Sequence, residues 1–305
     1  MLLKENIPVG YIIGKIRKEL LAVTLYAAVV AAVHEYVGWA RVELPLAVPM
    51  IMGTIISMLL AFRSNQAYDR WWEARTVWGS IVNDSRTLAR QVNTLSKEVY
   101  QGDEFFFFKQ RFIKRQIAWC CSLSRSLRQQ PAAEGLERYL VKRDLEHIGQ
   151  FTNVPMALLE LHGHDLQQAL DNGWINTFQQ VEVDRTLTRL CDAMGRCERI
   201  KNTVFPATYS LYIHFSLVFF FTLLPFSLID VFGTLLFIPA MVAIATAFFL
   251  VEKMAIHLQD PFESKPTDTP MTAICATIER DLRQVINESY PTELVPQKKK
   301  HFYIL

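Results

Sequence analysis

Residues 44–75 read LPLAVPMIMGTIISMLLAFRSNQAYDRWWEAR, and positions 44–62 contain no Asp, Glu, Lys or Arg. A helix needs roughly 20 mostly apolar residues to cross the hydrocarbon core of a bilayer. The uncharged part therefore predicts a membrane-spanning helix. Charged residues begin at Arg63 and are followed by paired tryptophans, so we expect this helix to leave the membrane near Phe62.

Three further stretches lack charged residues: 20–33, 203–229 and 231–251. The last two have spanning length, whereas the first reaches it only if the residues up to Tyr36 lie at the membrane interface, where aromatic rings are favoured. We predict four transmembrane helices arranged as two hairpins. A basic start, a short apolar run and small residues also describe a signal peptide, which is the alternative for the first stretch.

The composition excludes several classes of protein. The chain has 305 residues, of which 51% are hydrophobic, and a net charge of +2, with a mean hydropathy of +0.14. These values exclude a disordered chain and do not fit a nucleic-acid-binding protein. The five cysteines lack the C-x-x-C spacing of zinc or redox sites, and we interpret them as reduced, mostly buried thiols in a cytosolic environment.

Lysine and arginine mark the cytoplasmic side of a membrane protein. They cluster at 15–18, throughout 63–202, and at 298–300. We therefore place both termini and the long insert in the cytoplasm, with the chain in the cell (inner) membrane, and the short connections at 41–43 and Asp230 on the other side. The predicted parts are the N-terminal segment and first hairpin (1–62), a cytosolic helical region (63–202), the second hairpin (203–252), and a cytosolic C-terminal helix and tail (253–305).

The insert and the tail have helical patterns. Apolar residues return every three to four or seven positions over 77–95, 105–127 and 271–285, the mark of helices with one buried face. Asp268 followed by Pro270 predicts a capped start for the last helix. We see no alternating strand pattern of useful length, so the expected fold class is an all-α membrane protein.

Several motifs carry a resemblance to a known family. The residues AFRSN at 61–65 and YDRWWEAR at 68–75 resemble the signature of bestrophins, a family of pentameric ion channels. GRCERI at 195–200, Pro206, and DPF at 260–262 also fit. The resemblance covers nearly the whole chain in the same order. It implies a bestrophin-like homopentamer in a lipid bilayer, with a central pore lined by the second of four transmembrane helices.

The resemblance also implies which residues line the pore. In the family the narrow neck is a set of hydrophobic rings one helical turn apart, which corresponds here to Thr54, Met58 and Phe62. Their spacing of i, i+4 and i+8 places them on one helical face. Relatives have bulkier apolar side chains at the first two of these positions. A second, cytosolic constriction corresponds to Phe178 or, one turn earlier, to Ile175.

Calcium binding is not expected. Some family members hold calcium in an acidic run directly after the DPF-type motif, but here that run reads ESKPTD at 263–268. Calcium prefers six to eight oxygen ligands, and two separated carboxylates beside a lysine are a poor start. We therefore expect no calcium clasp, no metal site and no cofactor.

The same residues bear on other classes of function. The apolar stripe on the second span could simply pack against other helices. In a symmetric oligomer, however, identical apolar side chains form rings, and such rings can act as a gate that excludes water. The uncharged spans argue against a coupled transporter, and His214, the one histidine within them, predicts an interhelical hydrogen bond. We find no catalytic motif, so the chain is not expected to be an enzyme. His162 and His164 are interpreted as surface residues.

The charged residues after the second span are predicted to form structural ion pairs with each other at helical spacing; they are Arg63, Asp69, Arg70, Glu73 and Arg75. Trp71 and Trp72 are interpreted as interface and packing residues.

The expected function is passive conduction of small monovalent ions. We favour anions such as chloride, because weakly hydrated anions lose water most easily in an apolar neck. A monovalent cation channel of the same family and a non-conducting membrane scaffold are the alternatives.

Overall fold

The computed structural model describes residues 9–37, 44–95, 102–203 and 207–288. In this part of the chain the secondary structure is helical and contains no β-strand, which confirms the all-α prediction. The helices are α1 (Val9–Val37), α2 (Ala47–Thr94), α3 (Asp103–Leu127), α4 (Lys142–Ile148), α5 (Val154–Asp171), α6 (Thr177–Asn202), α7 (Ala207–Leu223), α8 (Pro225–Gln259) and α9 (Met271–Val285). The predicted connection at 41–43, Pro206 and the lysines at 298–300 lie outside the described residues.

The chain divides into two compact units. One, here called the apolar unit, contains the described residues 9–37, 44–71 and 207–260. The other, the bundle unit, contains the described residues 72–95, 102–203 and 261–288. Helix α2 contributes its first half to the apolar unit and its second half to the bundle unit.

Helices α1, α7, α8 and the first half of α2 form the core of the apolar unit. By length and composition, two helical segments can cross a membrane: α2 and Leu236–Gln259. The segments Thr208–Leu223 and Pro225–Thr234, bent by 42°, would make a third span if counted as one. Helix α1 is not among them, so the expected count of four spans is not confirmed. Buried α1 residues such as Ile16 and Ala27 pack the helix into the apolar unit.

The second predicted hairpin differs from expectation. The uncharged stretch 203–229 is not one straight helix, because the chain bends at Leu224. Pro225 has no N–H to continue the hydrogen-bond ladder of α7 and begins α8 instead. The break expected at Asp230 lies at Gly233, which has φ 68° and ψ 166°. That conformation is open to glycine and strongly disfavoured for other residues.

Helix α3 lies at the centre of the bundle unit and packs against α5, α6 and α9. Trp119 and Phe112 of α3 and Trp78 of α2 are completely buried there. The periodic segments predicted from the sequence therefore do form helices with one buried face. The start of α9 was predicted wrongly: its N-cap is Pro270 with no side-chain cap, because the Asp268 carboxylate turns back to accept the Lys265 N–H at 2.9 Å.

Two predictions about reactive side chains have different outcomes. The surface interpretation of His162 is wrong, since it lies in α5 at 0% exposure with its ring centroid 4.3 Å from that of Phe112. Burial, aided by the nearby Arg115 charge, lowers the pKa of His162 well below its ordinary value, so the imidazole is neutral. All five cysteines carry free thiols, three of them buried and two half-buried, as predicted.

Candidate pore-lining face

Helix α2 has two opposite faces in the apolar unit. Ile56, Leu60 and Arg63 lie on one face and are at most 3% exposed. Met58 and Phe62 lie on the other and are 60% and 52% exposed. With 3.6 residues per turn, the two sets are separated by roughly 180° around the helix axis. The predicted neck residues therefore share a face that has no packing partner within the described part of the apolar unit.

The buried face is held by α7 and α8. Ile56 and Leu60 belong to one apolar core with Leu217 and Phe220 of α7 and Met241 of α8. Because these contacts occupy one side of α2 only, they set which residues the helix turns outwards.

Thr54 is also exposed on the outward face. Its hydroxyl donates a hydrogen bond to the Met50 carbonyl, one turn earlier, at an Oγ1–O distance of 2.9 Å. This bond uses the hydroxyl proton within the helix. Thr54 consequently offers a methyl group and oxygen lone pairs to its surroundings, and no free hydrogen-bond donor.

Three polar residues, one each from α2, α7 and α8, interact where the uncharged part of α2 ends. Glu252 of α8 is 2% exposed and contacts Nδ1 of His214 of α7 at 3.1 Å. The same carboxylate interacts electrostatically with the buried Arg63. The interhelical hydrogen bond predicted for His214 is thus confirmed. Sequence reasoning missed its partner, because Glu252 marked only the end of an uncharged stretch.

The ion pairs after the second span join different helices. Arg70 pairs with Asp260 at 3.7 Å, and Glu73 pairs with Arg199 of α6 at 2.5 Å. Arg70 and Glu73 thus form structural ion pairs, as predicted, with partners outside α2, and the pairing of Asp69 and Arg75 along α2 stays a prediction. Helical spacing made local pairs possible, whereas Asp260 and Arg199, both far from α2 in sequence, supply the partners of Arg70 and Glu73.

The two candidates for a cytosolic constriction lie in different surroundings within the bundle unit. Phe178 lies in the first turn of α6 and is 85% exposed. Ile175 is half-buried and packs against the core, next to Trp174, which contacts the rings of Phe105 and Phe108 at 5.5 and 5.2 Å. Phe178 is therefore available to face a pore, whereas Ile175 is partly engaged in packing.

The 263–268 segment has few free oxygen ligands. Glu263 pairs with Lys265 at 2.5 Å, and Asp268 is 2% exposed and accepts a backbone N–H. Burial raises the pKa of Asp268, against the effect of that hydrogen bond. No group of three or more His, Cys, Asp or Glu side chains suited to a metal ion occurs among residues 9–37, 44–95, 102–203 and 207–288.

These features define an all-α membrane protein whose second helix presents an unpartnered, mostly apolar face. The profile of the Bacterial/Fungal Bestrophin protein family matches residues 5–284. The chain therefore belongs to the bacterial and fungal bestrophin family.

Relatives and solved structures agree with this assignment. A voltage-dependent anion channel-forming protein of Nostoc sp. is 30% identical over 96% of this chain and 92% of its own length. The voltage-dependent anion channel-forming protein YneE of Escherichia coli is 31% identical over 95% and 93%. The crystal structure of a bacterial bestrophin homologue from Klebsiella pneumoniae superposes with a TM-score of 0.84 at 26% identity, covering 90% of this chain and 100% of that one.

Proposed function

We propose that five copies of the chain assemble around an axis and form a channel that passes small monovalent anions, such as chloride, down their electrochemical gradient. The observation that carries this proposal is the outward face of α2, where Thr54, Met58 and Phe62 are exposed opposite the packed stripe. Copies related by rotational symmetry would bring identical residues into rings around one axis.

The relatives support an ion-conducting role. Those from Nostoc sp. and Escherichia coli are named as anion channel-forming proteins, and they match nearly the whole chain. Catalysis is not part of the proposal, because the site consists of apolar side chains and paired charges without a nucleophile and base in contact.

The neck would select by dehydration. Rings of Met58 and Phe62 offer a passing ion no replacement for its water, and Thr54 has already used its hydroxyl proton. Nearby cations do not compensate, since Arg63 interacts electrostatically with Glu252 and Arg70 pairs with Asp260. Ions that lose water easily should therefore pass best, which favours large, weakly hydrated anions.

The proposed topology places the chain in the inner membrane with four spans and both termini in the cytoplasm. Residues 1–62 and 203–252 would form the two membrane hairpins, and 63–202 and 253–305 the cytosolic parts. The cytosolic part of the pore would be narrowed by Phe178, with Ile175 as the less exposed candidate. The distribution of Lys and Arg supports this orientation.

Conduction should not depend on calcium. Glu263 and Asp268 are engaged with Lys265 through a salt bridge and a backbone hydrogen bond, so few carboxylate oxygens remain for a cation. Currents measured with a calcium chelator and with millimolar-range calcium should be equal. A calcium-dependent current would contradict this part of the proposal.

The proposal is tested on the purified full-length protein. Native mass measurement in detergent should give five times the subunit mass of 35.2 kDa. In planar bilayers under a salt gradient, the sign of the reversal potential should indicate anion permeability, with iodide or nitrate more permeant than chloride. Met58→Ala and Phe62→Ala should raise conductance, because they widen the apolar rings.

Phe219→Ala provides the matched control. Phe219 of α7 is 55% exposed, so this change removes the same side chain at similar exposure from a different helix, and conductance should stay unchanged. Equal effects of the two Phe→Ala changes would reject the neck assignment. No conductance from any of these proteins would favour a membrane scaffold, and a reversal potential of opposite sign would favour a cation channel.

A further inference from the structure

Helix α1 turns one apolar face away from the apolar unit. Leu21, Leu25 and Val29 follow each other at i, i+4 and i+8 on this face and are between 52% and 73% exposed. The opposite face is buried, because Val23 and Ala27 belong to the core of the apolar unit and α1 packs against α8. The three exposed residues therefore form an apolar stripe along the outside of the helix, here called the α1 stripe.

Two cations lie at the beginning of the α1 stripe. Arg17 and Lys18 are exposed and lie about one turn before Leu21, on the same side of the helix. Neither cation has an ion-pair partner within the part of the chain that the structure describes. The neighbouring Glu19 is engaged elsewhere, since it pairs with Lys253 of α8 at 2.7 Å. The outward face of α1 therefore combines two available positive charges with an apolar surface.

The dimensions of this face match a bilayer. At 1.5 Å per residue, Tyr36 lies about 27 Å along the helix axis from Lys18, which is close to the roughly 30 Å thickness of the hydrocarbon core. Tyr36 is 88% exposed, and an aromatic ring at one boundary with cations at the other is typical of a helix in contact with lipid. Thr24 lies on the same face, but its hydroxyl donates to the Leu20 carbonyl at 2.7 Å. No donor of Thr24 is therefore left for a polar partner beside the stripe.

We propose that the outward face of α1 binds an anionic phospholipid, whose phosphate contacts Arg17 and Lys18 and whose acyl chains lie along the α1 stripe. Charge identifies this occupant, because two cations at the end of an apolar surface complement a negatively charged headgroup that carries hydrocarbon chains. The other end of α1 carries Glu35, which is exposed and would repel such a headgroup. The site therefore takes a lipid from the leaflet at the basic end, which is the cytoplasmic leaflet in the proposed topology.

This inference rests on the membrane location and the proposed orientation of the chain, and not on ion conduction. Lipid binding is measured without any ion flux. A protein that binds the lipid and passes no ions would refute the proposed channel alone, and a conducting protein that binds no anionic lipid would refute the lipid site alone.

The test is native mass spectrometry of the delipidated full-length protein in detergent, mixed with equal amounts of palmitoyl-oleoyl phosphatidylglycerol and palmitoyl-oleoyl phosphatidylcholine. The wild type should retain phosphatidylglycerol in preference to phosphatidylcholine. A Lys or Arg near a lipid surface strengthens the attraction of anionic lipid by about fivefold. Arg17→Gln or Lys18→Gln alone should therefore lower the preference by about fivefold, and the double variant by roughly 25-fold.

Lys142→Gln/Arg143→Gln is the matched control. Lys142 and Arg143 are also adjacent and exposed, but they lie in α4 of the bundle unit. Their removal changes the net charge of the protein by the same amount, so the lipid preference should stay at the wild-type value. An equal loss in this control would show that the effect comes from net charge and would overturn the site.

Two further ligands separate a lipid site from a plain anion site. Dihexanoyl phosphatidylglycerol has the same headgroup on short chains and should bind at least about tenfold more weakly than the long-chain lipid, because it covers less of the apolar surface. Inorganic phosphate at the same concentration should not displace the long-chain lipid. Displacement by inorganic phosphate would mean that the acyl chains contribute nothing, which contradicts the proposal.

Other results would also reject the lipid site. Equal retention of the two long-chain lipids by the wild type would do so, as would an unchanged preference in Arg17→Gln/Lys18→Gln. The same spectra report the oligomer mass, so a smaller oligomer with an unchanged lipid preference in this variant would assign the face to a second copy of the chain. The wild-type competition stands even if a variant fails to fold.

Discussion

Replacing Arg115 should destabilise the bundle unit more than any exposed substitution. Its guanidinium is 1% exposed and joins three helices: Nη1 of this α3 residue donates to the Leu161 carbonyl at 3.0 Å and to Asp165, both in α5. Nη2 donates to Asp144 of α4 at 2.7 Å. In Arg115→Ala, Asp165 keeps its pair with Arg111 at 2.8 Å. Asp144 would lose the only ion pair it makes among the described residues.

The magnitude follows from that orphaned carboxylate. Removing one partner of a buried ion pair costs about 3–5 kcal/mol, because the remaining charge has lost its compensation. For a unit of this size, each kcal/mol lowers Tm by about 2–4 °C, so Arg115→Ala should lower Tm by about 6–20 °C. The Tm of Arg115→Lys should lie between those of the wild type and Arg115→Ala. Lysine keeps the positive charge, but its ammonium group cannot bridge two carboxylates as the planar guanidinium does.

The measurement is thermal unfolding of the full-length protein in detergent, followed by circular dichroism. Asp144→Asn in the Arg115→Ala background should recover part of the loss, because it removes the unpaired charge. A Tm within about 2 °C of the wild type for Arg115→Ala, or strictly additive effects in the double variant, would refute the reasoning.

Three further predictions concern other positions. His162 is held neutral, because its pKa lies well below the ordinary value of 6.5. The free energy of unfolding should therefore keep its full value above pH 6.5 and fall by up to about 1.4 kcal/mol per pH unit below it. In thermal unfolding, His162→Leu should lack this part of the decrease in Tm at acid pH. Asn176 and Gln179 make two reciprocal 2.9 Å bonds at the start of α6, so Asn176→Ala should cost about 1 kcal/mol in denaturant unfolding. Because the Thr54 hydroxyl donates to Met50, Thr54→Val should change the anion-to-cation permeability ratio by less than about twofold in bilayers.

Periodicity predicted the helices well, because a buried stripe repeats every three to four residues whatever it packs against. The segment predicted as 105–127 forms α3 from Asp103 to Leu127, and the apolar stripe at 271–285 is the buried face of α9. The break after the third uncharged stretch was misplaced for a local reason. Charge at Asp230 suggested a turn, but the positive φ that interrupts the helix favours glycine and occurs at Gly233.

Partners across helices could not be predicted from spacing. The sequence shows that Arg70 and Glu73 have opposite charges available one turn away, yet Asp260 and Arg199 pair with them. The burial of His162 could not be predicted either, because a histidine beside a glycine in a polar stretch is typical of a surface residue. Only the packing of α5 on α3 buries it against Phe112.

The orientation of the candidate pore face depends on a charge outside that face. Arg63 lies on the buried stripe of α2 in line with Leu60, and its electrostatic partner Glu252 belongs to α8. Rotating α2 to bury Met58 and Phe62 would move Arg63 away from Glu252, which would then keep its contact with His214 and lose its favourable electrostatic interaction with the arginine. The apolar core alone would tolerate such a rotation better, since both faces carry apolar side chains. The interaction of Arg63 with Glu252 therefore adds to the apolar contacts that set which side of α2 faces outward, and Glu252→Gln should change the conductance measured in planar bilayers although it alters no neck residue.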